Sequence, residues 1–505
     1  MQSPKRQSEN ERTYKDLSPS QFRENATRAI QWISDYFGTI DQYPVLSRIR
    51  PGEIKSRLPS SPPGQPESFE KILSDFENII VPGITHWNHP RFMAYFSITG
   101  SGPGIIGEML SGALNVNAML WKTSPAATEL EDVVLDWLRQ MVGLPATFEG
   151  IINDTASVSS LCAMAAAREA AGLDIREKGL AGRDDLPRLR FYTSIEAHSS
   201  IEKAAIVLGL GQQGLQKIPT DNAFRMDADV LRQRVEADLE QGIKPIGVIA
   251  TLGTTSTTSI DPINEIAAIC EKHALWLHVD AAYAGAAAIL PEIRTRFSGW
   301  KKADSIVINP HKWLFTPIDC SVLYCRKSEI LKGAFSLVPE YLRTSEGDEV
   351  KNYMDYGVAL GRRFRALKLW MIIRTLGISG ITDAIREHIS FADRLKKLIL
   401  QNPDFELLAP VPFSTLVFRF TPGTMSNIAE PQNVEASLEK LNAMLLERIN
   451  QTGKVFLSHT KLAGKFGIRI AIGNLKTRWD DIELVWEIVQ QQARELTLVN
   501  QASAN

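Results

Sequence analysis

The sequence predicts an α/β protein built around a mainly parallel sheet, and three observations carry that prediction. Between residues 96 and 325, helical patterns alternate with short β-rich runs at 189–192, 246–252, 275–279, 305–308 and 321–324. The runs are largely apolar, as strands covered on both faces by crossover helices must be. Residues with chemistry to offer, Thr254, Thr255, Asp280 and Lys312, fall just past the ends of such runs, where open parallel sheets gather their ligands.

Taken in order, the chain starts with a polar tail, residues 1–17, that lacks the apolar core of a secretory signal. Ser18-Pro19-Ser20-Gln21 then supplies an N-cap serine, a first-turn proline and a capping-box glutamine, opening a helix that runs to about Tyr36. The extended linker Leu58-Pro-Ser-Ser-Pro-Pro-Gly-Gln-Pro66 leads to a second amphipathic helix at about 68–80. Two helices so separated cannot form a core alone, so residues 18–95 are expected to pack on the rest of the chain or on a second subunit. Residues 96–385 form the large domain, which closes with a helical stretch near 362–376. Beyond it, helices flank an alternating strand at 415–420 and runs at 455–458 and 468–472, which predicts a smaller α+β domain over 386–495.

Composition excludes some partners. Lys and Arg total 56 against 58 for Asp and Glu, a formal charge of -2, so no basic surplus recommends nucleic acid. No window approaches the roughly 20 apolar residues of a membrane span. The four cysteines, Cys162, Cys270, Cys320 and Cys325, lie in or beside apolar segments without CxxC spacing, which reads as reduced, buried, cytoplasmic thiols. Two motifs are decoys. Gly209-Leu-Gly211-Gln-Gln-Gly214 matches a dinucleotide string but follows a helix and precedes a strand-like run, the reverse of the required order. His86 and His89 lack the Cys or acidic partners that would complete a metal site.

The chemistry lies in a constellation. Ser305-Ile-Val-Ile-Asn-Pro-His-Lys-Trp313 carries an apolar run to a sharp Asn-Pro turn that presents one amine, Lys312. Leu275-Trp-Leu-His-Val-Asp280 ends another run in a carboxylate followed by two alanines. Pyridoxal phosphate (PLP) needs both: an amine to hold its aldehyde, and an acid to keep its ring nitrogen protonated. Asn153-Asp-Thr-Ala-Ser157 precedes a strongly helical stretch at 158–170, so backbone N–H groups and hydroxyls converge where a helix attracts phosphate. His198 follows the run at 189–192 and could stack on a flat ring, and Thr254-Thr-Ser-Thr-Thr258 offers hydroxyls after the run at 246–252. Each feature alone has a bland reading as a cap, a surface amine or a structural histidine. Their joint occurrence makes the PLP reading the better one.

Asn309-Pro-His-Lys-Trp313, His278-Val-Asp-Ala-Ala-Tyr-Ala-Gly285, Glu196-Ala-His-Ser-Ser200, Thr251-Leu-Gly-Thr-Thr255 and Ser124-Pro-Ala-Ala-Thr-Glu-Leu-Glu131 resemble the group II PLP-dependent decarboxylases, in particular the aromatic L-amino acid decarboxylase branch. The resemblance runs from about Ser18 to about Gln491. It implies an aspartate aminotransferase-like fold of type I, with a seven-stranded sheet in the large domain, a small C-terminal domain and N-terminal helices swapped across a homodimer. It assigns Lys312 to the covalent cofactor link, Asp280 to the pyridine nitrogen, His198 to the ring face and Thr255 to the phenolic oxygen. Ala156, Ser157, Ser305 and Asn309 match phosphate-binding positions, with Thr155 beside them.

Tyr341, in Leu337-Val-Pro-Glu-Tyr341, matches a loop tyrosine that protonates the carbanion left by CO2. Relatives with phenylalanine there make aldehydes; the polar residues 343–351 that follow are expected to be mobile. Trp87, Tyr95 and Phe96 match aromatic substrate positions, His311 one near the substrate carboxylate, and Gly361 one where glycine favours bulky aromatic substrates. Ser97, Ile98 and Met119 depart from the usual pattern. The expected activity is decarboxylation of phenylalanine, tryptophan, tyrosine, DOPA or 5-hydroxytryptophan to the arylalkylamine. The alternatives are an aldehyde synthase, an aminotransferase, or a PLP-binding protein without catalysis.

Overall fold

The computed structural model describes residues 16–337, 349–423 and 431–502, and the chain divides into two units, Met1–His89 and Pro90–Asn505. In the first, Ser18 accepts the Gln21 N–H while the Gln21 side chain accepts the Ser18 N–H, so the predicted capping box starts the helix Pro19–Thr39. None of that helix's residues is buried, and Phe22 and Ile30 are 61% and 49% exposed. Ser68 caps the second helix, Phe69–Asp75, which ends in a π-helical turn, Phe76–Ile80. Trp32 stacks on Tyr36 and meets Phe76 edge-on, and the Tyr36 hydroxyl bonds His86 Nδ1 at 2.8 Å.

The second unit contains the expected sheet. Its strands are β1 (Glu149–Asn153), β2 (Leu189–Ser194), β3 (Leu215–Ile218), β4 (Lys244–Thr251), β5 (Trp276–Asp280), β6 (Ser305–Ile308) and β7 (Ser321–Cys325), in the order β1-β7-β6-β5-β4-β2-β3. Only β7 runs against its neighbours. Burial is complete along β4 from Pro245 and along all of β5, β6 and β7, which explains their unbroken apolar runs. β1 follows no comparable run in the sequence, because Glu149 and Gly150 open it. The decoy glycines sit in a turn: Gly209 and Gly211 adopt positive φ, and a 3-10 turn, Gln212–Gly214, leads into β3.

A second sheet of four strands, β8 (Phe405–Leu407), β9 (Thr415–Phe420), β10 (Ser458–Leu462) and β11 (Lys465–Ala471), is antiparallel in the order β10-β11-β9-β8. The run predicted at 455–458 becomes a strand only at Ser458. Each sheet has its own hydrophobic core. The helix Arg365–Gln401, kinked at Gly377, joins them: Leu369, Ile381 and Ile385 enter the first core and Phe391, Leu395 and Ile399 the second. The four cysteines are buried and unpaired. Among the described residues, no helix is long and apolar enough to cross a membrane.

Candidate active site

The C-terminal ends of the parallel strands hold the predicted constellation. β5 ends at buried Asp280, whose Oδ1 accepts the Ala282 N–H at 3.0 Å. β6 ends at Ile308, and Asn309 caps the one-turn helix Pro310–Trp313 that carries Lys312. Proline suits that first helical position because its missing N–H would find no partner there. His198 caps the helix Ser199–Val207 after β2, its Nδ1 accepting the Ser200 N–H at 3.2 Å. Thr255 stands exposed in the turn after β4.

Burial lowers the Lys312 pKa, with Asp280 opposing the shift and Arg469 adding to it. A smaller cost of deprotonation is what a nucleophilic amine requires. The Lys312 ammonium lies 5.1 Å from the Phe96 ring centroid. Phe96 stacks on Tyr283 at 3.9 Å, and Tyr283 on Trp313 at 4.6 Å, so three aromatic planes form a wall. Trp313 donates to His388 Nδ1 at 3.0 Å, and His388 Nε2 donates to the Asn474 carbonyl at 3.0 Å, which fixes the neutral tautomer. His198 is exposed, yet desolvation holds its pKa below the ordinary value, against Asp280 and with Lys312. His198, Asp280 and Lys312 lie at or just past the C-terminal ends of β2, β5 and β6.

Asn309 and His311 form a second part. The Cys320 N–H donates to His311 Nδ1 at 2.9 Å, so the neutral ring, its pKa pushed down to about 3 chiefly by burial, carries its proton on Nε2. Nε2 faces the Asn309 amide at 3.3 Å, and Asn309 Oδ1 is otherwise buried without a partner. Two N–H groups do not bond each other, so the Asn309 oxygen belongs toward His311, which leaves its NH2 without a partner among the described residues. The helix Ala156–Ala170, capped by Thr155, adds first-turn N–H groups at Ala156 and Ser157 that no intrahelical carbonyl can reach. The side chain of Ser157 is exposed. Amide donors, a helix N-terminus, a desolvated amine, a buried acid and aromatic planes are the donor set PLP needs, and these residues fit it.

Three candidates lie elsewhere within the second unit. Ser305 is corrected: it lies at the N-terminal end of β6, level with His278. Its hydroxyl is held by Trp276 Nε1 and His278 Nδ1, each at 2.9 Å, so it supports β5 and is not on the phosphate side. Met119 packs with Leu120 and Met354, and Asn117, whose amide donates to Met119 sulfur, also lies 3.9 Å from where a Cβ on Gly361 would sit. These two residues form a cluster of their own. Trp87 belongs to the first unit, and Tyr341 lies outside the described residues.

One site residue went unread in the sequence. Arg469, on β11, is 4% exposed. It donates to the carbonyls of Thr255 at 2.9 Å, Ser256 at 3.1 Å and Tyr95, and its guanidinium lies 4.6 Å from the Phe96 centroid. Burial lowers its pKa to about 10. Tyr95 itself adopts φ 51, a left-handed conformation costly for an aromatic residue, and Arg469 holds it there. A lone cation in the apolar run 466–472 is the signal that could have found it.

Fold and cleft together define a PLP enzyme of the decarboxylase type. Residues 51–421 match the family described as the pyridoxal-dependent decarboxylase conserved domain. The chain is 38% identical over 492 residues to a phenylacetaldehyde synthase of Rosa hybrid cultivar, covering 95% of this chain and 96% of that relative. It is 38% identical over 491 residues to tyrosine/DOPA decarboxylase 1 of Papaver somniferum, covering 94% of each. A crystal structure of Oryza sativa TDC with PLP and tryptamine superimposes with a TM-score of 0.91 at 36% identity, covering 96% of this chain and all of that one. The chain belongs to the pyridoxal-dependent decarboxylase family, and its cofactor is PLP.

Proposed function

We propose that this enzyme decarboxylates aromatic L-amino acids to arylalkylamines and CO2. The observation that carries the reading is the desolvated Lys312 amine set between Asp280 and the Phe96 face, with Arg469 behind it. Bound PLP supplies an electrophilic carbon and a pyridinium that accepts the electron pair released as the carboxylate departs. Lys312 would supply the amine that anchors this group. Asp280 would keep the proton on the ring nitrogen, Asn309 and the 156–157 amides would hold phosphate, and His198 would cover the ring. Phe96 and Tyr95 favour a flat aromatic side chain. At position 341 the sequence has a phenol, which can return a proton to Cα where a phenyl ring cannot.

A homodimer fits two features. The helix Pro19–Thr39 has no buried residue, and Met119 and Gly361 cluster apart from the residues around Lys312, as wall pieces for a partner's cleft would. The buried, unpaired thiols suit the cytoplasm.

The second reading, an aldehyde synthase, is favoured by the rose relative, which is as similar as the poppy decarboxylase. Product identity decides between them. The PLP-loaded protein is incubated separately with phenylalanine, tyrosine, tryptophan, DOPA, 5-hydroxytryptophan and glutamate, and products are read by mass spectrometry. Amines from the aromatic substrates alone are expected, with Tyr341→Phe diverting product to aldehyde; aldehyde from the unmodified enzyme would overturn the decarboxylase reading.

A further inference from the structure

The opposite end of the large sheet holds a cavity of about 660 Å³, within the range of small-molecule sites. It opens where β4, β5 and β6 begin and β7 ends, so the full length of the strands separates it from Lys312. Ile246, Ala267, Cys270, Leu275 and Ile330 give it an apolar lining. Its charged groups are Lys244, Lys302, Arg326 and Lys327 against Glu271 and Asp304, four cations facing two carboxylates.

The pairing within the cavity decides what it can bind. Asp304 is spent three times over: its carboxylate accepts the Leu277 N–H at 2.9 Å, Arg326 at 3.1 Å and Lys327 at 3.0 Å. It has little left for a ligand cation. Lys244 meets the helix-end carbonyl of Ala171 at 3.1 Å, which offsets the negative end of that helix. Lys327 lies 5.7 Å from the Trp276 ring centroid, and Lys302, exposed at the mouth, has no acid partner among the described residues. The surplus is positive, and the walls set these cations beside apolar side chains.

We infer that this cavity is a binding site for a small aromatic carboxylate, separate from the catalytic cleft. The ring lies against the aliphatic floor, and the carboxylate is shared by Lys302 and Arg326. A neutral molecule of the same shape gains only the apolar contact, and an aromatic cation meets the positive surplus.

The probe is indole-3-acetate, with indole-3-acetamide as its uncharged match, titrated calorimetrically into the PLP-loaded enzyme. The acid should bind, the amide should bind at least about ten-fold more weakly, and rising salt should weaken the acid alone. Lys302→Glu should weaken the acid about ten-fold while its kcat stays within about two-fold of the wild type. The substitution sits on an exposed side chain without an acid partner, so the fold survives it. No heat with the acid at about 1 mM, equal affinity for acid and amide, or equal affinity in wild type and Lys302→Glu each overturns the site.

Discussion

The two ends of β4, β5 and β6 use the same backbone for opposite purposes. At their beginnings Asp304 accepts three donors and the Ser305 hydroxyl bonds both Trp276 and His278, although His278 Nε2 is buried without a partner. At their C-terminal ends polar groups are held short of partners. Asp280 receives one backbone N–H, Lys312 is desolvated, and Asn309 faces His311 with bonding capacity to spare. Groups with every partner made stabilise a fold, while groups kept short of partners, Lys312 and Asn309 at one end and Lys302 at the other, are the ones that can hold a ligand. The site therefore costs stability that the rest of the sheet supplies.

Breaking the C-terminal end should give the largest effect. Asp280→Asn removes the charge that holds the ring proton, and kcat should fall about 10³-fold while PLP absorbance persists. Activity within ten-fold of wild type would sink the role given to Asp280. Arg469→Gln should come next, because it strips donors from three carbonyls and frees the strained Tyr95 backbone. Its kcat/KM should fall about 100-fold and its stability by about 3 kcal/mol, read by steady-state kinetics and urea unfolding. Arg469→Lys should recover only part, since one ammonium cannot reproduce the fork. Full recovery by lysine would make Arg469 a point charge and nothing more.

How much of this contrast the sequence carried depends on the length of the interactions involved. β4 to β7 and the turn at Lys312 were legible, because burial on both faces writes itself as an apolar run. The motifs around Asp280, His198 and Asn309 were legible too, since each lies beside its own strand. Arg469 was not: its partners Tyr95 and Thr255 are more than 200 positions away, and only the folded small domain brings them together. Ser305 matches a phosphate-binding position only through the family resemblance, and its partners lie 29 and 27 positions before it. A hydroxyl two residues before the level of Asp280 looks like a site residue until its bonds to Trp276 and His278 are seen. β8, three residues long, is too short to leave a period.

Acid should sharpen the contrast between buried histidines and the rest of the chain. Burial lowers His388 to about 4, while in the unfolded chain it titrates near the ordinary 6.5. Between those values the unfolded state binds more protons, so stability is full above 6.5 and falls as pH drops toward 4. At pH 5 the loss from His388 should be about 2 kcal/mol, with His278 and His311 acting in the same sense. His388→Gln, which can still accept from Trp313 and donate to Asn474, should remove that share of the difference between urea midpoints at pH 7 and pH 5. An undiminished difference would mean that His388 does not stay neutral in the fold.

The smallest effect is expected at the opposite end, and it tests whether the two ends are separable. Asp304→Asn keeps an oxygen for the Leu277 N–H but loses the charge that Arg326 and Lys327 share. Both cations are partly exposed, so water takes over much of what the carboxylate did, and stability should fall by only about 1 kcal/mol. With β5 and β6 still paired through His278 and Ser305, Asp280 keeps its place and kcat should not move. A loss of kcat comparable to that of Asp280→Asn would show the two ends to be one cooperative unit, with the satisfied groups at the strand beginnings holding the unsatisfied ones in position.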